Sequence, residues 1–291
     1  MRLLSASTKM PFPDLLKSMP DILRRHLLAL MAFLAGFTSL TIAQNCEQIG
    51  LEVEPLMNIE ELVSRREVLE YRVKYGFFTL GTVTVETGLD TLIGGEKMLY
   101  MRATARSNPK LPFVGEREER FHSIAALNDT MAYEVQYWSD DVDSEKWREF
   151  YYSFDYENLL VYRFMEGQPL DTLELNGPSV AGPVNIQIGR FIAGTGKKWQ
   201  LDLVEDEGLA SVEYNNPTDV VERKSAAFPG RRLKAFFADG KANFEGPFGF
   251  NGKFKGWYTA DKLRIPLGGQ LKVWLGNVKI SLQSYTVIDD E

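Results

Sequence analysis

From Val68 onward the chain repeats with a period of two. Leu69, Tyr71, Val73 and Tyr75 alternate with Glu70, Arg72 and Lys74. Successive side chains of an extended chain point to opposite faces, so this alternation builds a strand with one apolar face and one wet face. It does not suit a helix, whose faces repeat every 3.6 residues. The same rhythm returns at Val83 and Val85, and in residues 97–106, 116–126, 131–138, 147–154 and 159–165. It returns again at Leu201 and Leu203, at Val212 and Tyr214, at Leu233, Ala235 and Phe237, and in residues 271–275 and 278–285. Turn residues separate the runs: Gly76, a third short run at 91–93 closed by Gly94-Gly95, Asn128-Asp129, Tyr156-Glu157-Asn158 and Gly276-Asn277. Short strands with turn residues between them predict a meandering antiparallel sheet, and a sheet this long must curl or split into two layers. The expectation is an all-β fold with minor α content. It is a single strongly curved antiparallel sheet or partial barrel, in one domain over residues 68–287, with a short N-terminal helix.

Two segments leave the rhythm. Asn58 stands three residues before Glu61, the spacing of a capping box, and Leu62 and Val63 follow. This predicts a helix ending near Glu67, within an N-terminal extension over residues 44–67. The stretch 176–196 holds Gly177-Pro178 and Gly182-Pro183 before an apolar run. That reads as a loop followed by a short helix, or as an irregular strand.

The N-terminus has the layout of a secretory leader. Arg24, Arg25 and His26 precede 16 uncharged residues, 27–42, and Ala43 closes the stretch. The apolar run is shorter than the ~18–20 residues that a membrane-spanning helix needs. A signal peptide over residues 1–43 is expected, with export to the periplasm or the periplasmic face of the outer membrane and no membrane span in the mature chain. Beyond Ala43 there are 28 basic and 38 acidic residues, a formal charge of −10. That balance argues against nucleic acid, whose phosphates demand clustered Lys and Arg. It also argues against loose adsorption to anionic lipid. Cys46 is the only cysteine, so an intramolecular disulfide is excluded. The preceding Ala43-Gln44-Asn45 does not have the small residue before Cys that lipidation requires.

Few residues invite chemistry. There is no HExxH, no CxxC and no Cys/His cluster, so neither a metal nor a cofactor is expected. The acidic run from Asp140 to Glu145 resembles the start of a calcium loop. Counted from Asp141, it has Lys146 at the sixth position and Tyr152 at the twelfth, where Gly and Glu are needed. Gly196-Lys197 fails as a phosphate loop because Phe191 stands where its first Gly belongs. His122 has no nucleophile signature near it and reads as a strand residue. Many carboxylates are available but nothing selects a pair, so no catalytic residue is assigned.

Two segments resemble a known family. The first is Tyr71-x-Val73-x-Tyr75-Gly76-Phe77-Phe78-x-x-Gly81-x-Val83-x-Val85. The second runs from Phe254-Lys255-Gly256-Trp257 through Asp261, Arg264-Ile265-Pro266 and on to Trp274, Gly276, Val278 and Leu282. Together they resemble the bacterial envelope family of domain of unknown function 3108. The resemblance implies an exported, β-rich, single-domain protein with a curled sheet, and implies no activity. Physically, Gly76 and Gly81 suit a bulge or a close backbone approach. Asp261 and Arg264, three apart, suit a charge-assisted pair that pins a turn before Pro266.

The aromatic load carries the functional expectation. Tyr133, Tyr137, Trp138, Trp147, Phe150, Tyr151, Tyr152, Phe154, Tyr156, Tyr162 and Phe164 cluster in the middle of the chain, and in residues 150–154 they occupy both strand faces. One face is core; the other needs a second layer, a partner or a ligand. The expectation is a non-enzymatic binder of an apolar, lipid-like molecule or an envelope protein, on an aromatic concave surface. Phe77, Phe78, Tyr137, Trp138, Tyr151 and Arg264 are the candidate contacts. The alternatives are a carboxylate hydrolase acting on envelope glycan or lipid, and an assembly factor recognised at a sheet edge.

Overall fold

The first alternating run forms a strand in which Leu69, Tyr71 and Val73 are buried and Glu70 and Arg72 are exposed. A computed structural model describes residues 57–93, 96–111, 116–127, 132–141, 150–205, 208–243, 252–273 and 276–288. The leader, Cys46, the turns at Gly94-Gly95 and Asn128-Asp129, Trp147, Trp274 and the acidic run beyond Asp141 lie outside these residues. The elements are helix α1 (Ile59–Ser64) and strands β1 (Arg66–Tyr75), β2 (Phe78–Ile93), β3 (Glu96–Ser107), β4 (Glu118–Leu127), β5 (Ala132–Asp141), β6 (Phe150–Asp155), β7 (Leu160–Met165) and β8 (Gln168–Glu174). Then come β9 (Ser179–Val180), helix α2 (Val184–Ile192), β10 (Lys198–Glu205), β11 (Gly208–Asn215), β12 (Val220–Arg223), β13 (Leu233–Ala242), β14 (Lys253–Thr259), β15 (Pro266–Val273) and β16 (Gly276–Ile288).

Among the described residues all 16 strands belong to one sheet, in the order β8-β7-β6-β5-β4-β3-β2-β1-β16-β15-β14-β13-β11-β10-β9, with β12 on β13. The chain starts mid-sheet, meanders outward to β8, crosses to the far end and meanders back until β16 pairs with β1. Every pairing is antiparallel except the short β9–β10 contact. The curled all-β expectation describes this molecule.

Local departures have physical causes. The Glu61 N–H donates to Asn58 Oδ1 at 3.3 Å, the expected cap, but the helix stops at Ser64 rather than near Glu67. Glu67 is needed inside the sheet, and strand geometry begins at Arg66, two residues before the expected domain start. The two runs expected on either side of residue 88 are one strand, β2. Its register with β3 slips between Leu89 and Thr91, so a bulge replaces the expected break. Gly81 lies within β2, and a Cβ there would sit 2.1 Å from the Arg106 carbonyl oxygen. The β1–β2 register shifts beside it, between Val73 and Lys74. Thus both effects expected of that glycine, a bulge and a close approach, occur together.

The stretch with two Gly-Pro pairs ends in α2, and all nine residues of α2 are buried. Val184, Ile186, Ile188, Phe191 and Ile192 share one apolar cluster with Leu69, Tyr71 and Val73 of β1 and Phe254 of β14. The helix therefore fills the concave side of the sheet. A Cβ at Gly189 would fall 2.1 Å from the Tyr258 hydroxyl, so only glycine lets the helix approach β14 so closely. Its polar side chains find partners in the surrounding structure, although the Asn185 Nδ2 amide has none among the described residues. Tyr214 donates its hydroxyl to Asn185 Oδ1. Arg190 donates to Glu67 at 2.7 and 3.2 Å and to the Leu263 carbonyl at 2.6 Å, and the Tyr285 hydroxyl donates to Glu67 at 2.5 Å.

Burial alone would raise the Glu67 pKa, but the Arg190 charge and the hydrogen bonds of Arg190 and Tyr285 outweigh it and hold it below the usual range. A depressed carboxylate stabilises the fold above its unfolded pKa, about 4.3, and that contribution is lost as pH falls through the folded value. Arg190→Ala leaves a buried carboxylate without its cation and should cost about 3–5 kcal/mol in chemical denaturation at pH 7. Glu67→Gln should flatten the loss of stability below about pH 4.3.

Candidate functional site

Register divides the mid-chain aromatics between the two faces of the sheet. On β6, Tyr152 and Phe154 are buried, and Phe150 packs with them on the inner side. Tyr133, Tyr137 and Tyr156 turn inward too. Tyr137 packs at 5.1 Å from Tyr152, and a Cβ on Gly182 would meet the Tyr137 ring at 2.4 Å. These rings face the segment that carries the chain into α2. There the far arm of the curled sheet meets β5–β7: Leu175, Ala181 and Val204 share a buried cluster with Tyr152, Phe154 and Val161. The seam is stitched by side chains. The Tyr156 hydroxyl donates to the Glu134 carbonyl at 2.7 Å, the Ala181 N–H donates to Glu134 Oε2 at 3.1 Å, and Arg163 donates to the Glu205 carbonyl.

Glu134 is fully buried in that seam. Desolvation, only partly offset by Ser123 and the Ala181 N–H, pushes its pKa up to about 8. Neutral in the folded protein at pH 7 and ionised when unfolded, Glu134 lowers stability by about 1.4 kcal/mol per pH unit between the two pKa values. Denaturation midpoints should therefore fall as pH rises from 5 to 8, and Glu134→Gln should remove that slope.

The outer face carries the remaining rings. Tyr151 lies opposite Trp138 and opposite Phe164, and Trp138 lies opposite His122. The His122 and Trp138 rings are parallel within 3° at 4.7 Å, and Tyr100 stacks at 6.4 Å from Trp138. Tyr151 and Phe164 are 5.8 Å apart. The result is a half-buried band across β3–β7, continued by the exposed Tyr162. Ion pairs flank it: Arg102 with Glu86 at 2.6 Å, and Arg120 with Glu118 at 2.8 Å. The Tyr100 hydroxyl and His122 Nδ1 are hydrogen-bonded at 2.8 Å, and His122 Nε2 faces Asp140 at 3.2 Å. Burial lowers its pKa more than Asp140 raises it, and Arg102 and Arg120 lower it further, so the ring is neutral at pH 7. His122 is thus a strand residue inside an aromatic stack.

The other candidate residues go to different places. Phe77 and Phe78 project from the β1–β2 turn, 89% and 48% exposed, with Gly76 in the left-handed region at φ 56°. Tyr75 closes β1 half-buried beside them. Arg264 is buried, its guanidinium 4.6 Å above the Phe236 ring, with φ at 47°. The expected Asp261–Arg264 side-chain pair is not what pins the turn. Asp261 Oδ1 accepts the Thr259 hydroxyl at 2.7 Å and the Leu263 and Arg264 N–H groups at 2.9 and 3.1 Å, while Arg264 donates to the Asp261 carbonyl. A carboxylate caps backbone donors more economically than it holds a guanidinium that an aromatic face already accommodates. Tyr71 donates its hydroxyl to the Pro266 carbonyl at 3.0 Å, and β1 pairs with β16, so the early and late motif segments lie side by side. Trp257 is buried beneath the Arg223 guanidinium at 3.8 Å. Gly276 opens β16 at φ 107°. These motif residues support the fold. Arg264→Ala should lower stability by about 2 kcal/mol, read by chemical denaturation.

What single-sequence reading left unassigned is the pairing partner of each ring. The alternation of Tyr151 with Tyr152 signals two faces, but only cross-strand register puts Tyr151 with Trp138 and Tyr152 with Tyr137.

No protein-family model matches the chain, and no curated protein matches it. Among solved structures it is similar to the beta-barrel-like protein of Domain of Unknown Function DUF1849 from Brucella abortus, with 10% identity and a TM-score of 0.49 over 79% of this chain and 99% of that one. Among the described residues no helix is long and apolar enough to cross a membrane.

Proposed function

We propose that this chain is an exported cell-envelope protein that binds an apolar, lipid-like ligand and catalyses no reaction, working in the periplasm or at the periplasmic face of the outer membrane. The leader and the resemblance to the domain of unknown function 3108 family support the location. One observation carries the binding role: the outer band of Tyr100, Trp138, Tyr151 and Phe164 lies half-buried across β3–β7, beyond what the core needs. The concave face is occupied by α2, so the ligand sits on the outer band rather than in the hollow that the aromatic count suggests. Affinity would come from apolar area removed from water, at about 25 cal/mol per Å². The flanking Arg102 and Arg120 orient a polar head.

Native mass spectrometry of the protein purified from the envelope of its own cells should show a co-purifying lipid. The double variant Trp138→Ala, Tyr151→Ala should retain at least tenfold less of it with an unchanged far-ultraviolet spectrum. Wild-type protein that emerges without lipid after mild extraction would overturn the reading.

A further inference from the structure

The lysines of this acidic protein are not spread evenly over its sheet. On β13, β14, β15, β16 and β1, strand register collects six of them on the outer face, in two adjacent rows at one end. Lys255 is opposite Gln270, Gln270 opposite Lys279, and Lys279 opposite Lys74. In the next row Lys241 is opposite Lys253, and the Phe254–Leu271 pair sets Lys253 beside Lys272. Neighbouring strands are about 4.8 Å apart and same-face neighbours along a strand about 6.7 Å apart, so this is one continuous field. At the side far from β1, Glu213 faces Lys241 and Asp239 faces Lys255. Lys255 lies 5.2 Å over the Phe237 ring; Lys241, Lys253, Lys272 and Lys279 are exposed. Like charges placed directly opposite, as in Lys74–Lys279 and Lys241–Lys253, work against the sheet.

The same end of the sheet bears the most exposed aromatic group among the described residues. Phe77 and Phe78 sit at the tip of the β1–β2 hairpin, three and four residues beyond Lys74, with rings 5.5 Å apart. Beside the tip an open cleft of about 580 Å³ is lined by Thr82, Arg106, Lys110 and Arg117, with Glu116 and Glu118 on its wall. The loop that shapes it is tied to the hairpin, because the Asn108 N–H and side-chain amide donate to the Leu80 and Thr79 carbonyls, each at 2.8 Å.

We propose that this end of the sheet is a docking surface for an anionic lipid bilayer, with Phe77 and Phe78 entering the interface and the lysine field resting on acidic headgroups. A paired aromatic tip gains by leaving water for the acyl boundary, and lysines gain by proximity to anionic headgroups while their stems lie on apolar surface. A soluble polyanion would use the lysines but has no place for two bare phenyl rings, which favours the bilayer. The inference is independent of the aromatic band on β3–β7 and uses none of its residues. Net charge argues the other way only because it averages over a sheet whose charges are segregated.

The test is co-sedimentation of the protein, as purified from the cells that make it, with vesicles of phosphatidylcholine alone and of phosphatidylcholine mixed with phosphatidylglycerol. Wild type should bind the mixed vesicles and lose that binding with added salt. K253Q/K272Q/K279Q should bind them roughly a hundredfold more weakly. F77S/F78S should bind about tenfold more weakly or worse. Both variants share the wild-type N-terminus, so a difference reports this surface and not the leader. Both change exposed residues, and unaltered denaturation midpoints check the fold. Equal binding to neutral and mixed vesicles would overturn the proposal. So would full displacement by soluble dextran sulfate together with unimpaired binding by F77S/F78S, which would make the partner a soluble polyanion.

Discussion

The architecture depends on one buried ion pair. Arg190 of α2 and Glu67 of β1 are both removed from water, and each is answered: Glu67 by Arg190 and Tyr285, Arg190 by Glu67 and the Leu263 carbonyl. A strongly curled sheet has an apolar inner face too concave to be covered by a second sheet. A short helix fits that hollow, but a nine-residue helix buried all round cannot be positioned by amphipathicity, since it has no wet side to orient it. The ion pair, with the Asn185–Tyr214 bond and the glycine contact at Gly189, sets its depth and rotation. An apolar pair of similar volume would bury as well without dictating one orientation.

That helix decides which face of the sheet is left open. In an open half-barrel the concave face is the natural binding surface, because it offers curvature and shelter. Here it is spent on α2 and on the seam where the inward tyrosines meet the far arm. The surface left for recognition is convex, and convex sheet faces bind by presenting rings and charges instead of enclosing a guest. The outer aromatic band and the lysine field, the two surfaces proposed above to bind, lie on different parts of that convex face.

The fold class was legible because period-two alternation at Leu69–Tyr75 has one structural meaning. The cap at Asn58 and the demand on Gly81 were legible for the same kind of reason, each a local rule with a local signature; Gly76 serves a left-handed turn with open space around it, not the expected bulge or close approach. Long-range facts were not. Residue type put Asp261 and Arg264 three apart and suggested attraction, whereas backbone donors and a ring elsewhere in the chain claimed them separately. Rings could be counted but not sorted, since facing depends on register with strands far away in sequence. The lysine field was invisible for the opposite reason. Lys74, Lys241, Lys253, Lys255, Lys272 and Lys279 are scattered over the sequence, and a net charge hides what five strands bring together.

The pairing of β1 with β16 has a consequence for how the chain acquires its shape. Among the described residues, the first strand in the chain is hydrogen-bonded to the last, in the centre of the sheet and not at its edge. As the domain folds, β1 meets β2 through a short turn, but its other side stays unsatisfied until β16 arrives, and the closure entropy of nearly the whole domain falls on that event. The nascent meander therefore waits with its middle open. Strand β16 thus joins two half-sheets into one, so losing that one strand would remove the keystone and not the fringe.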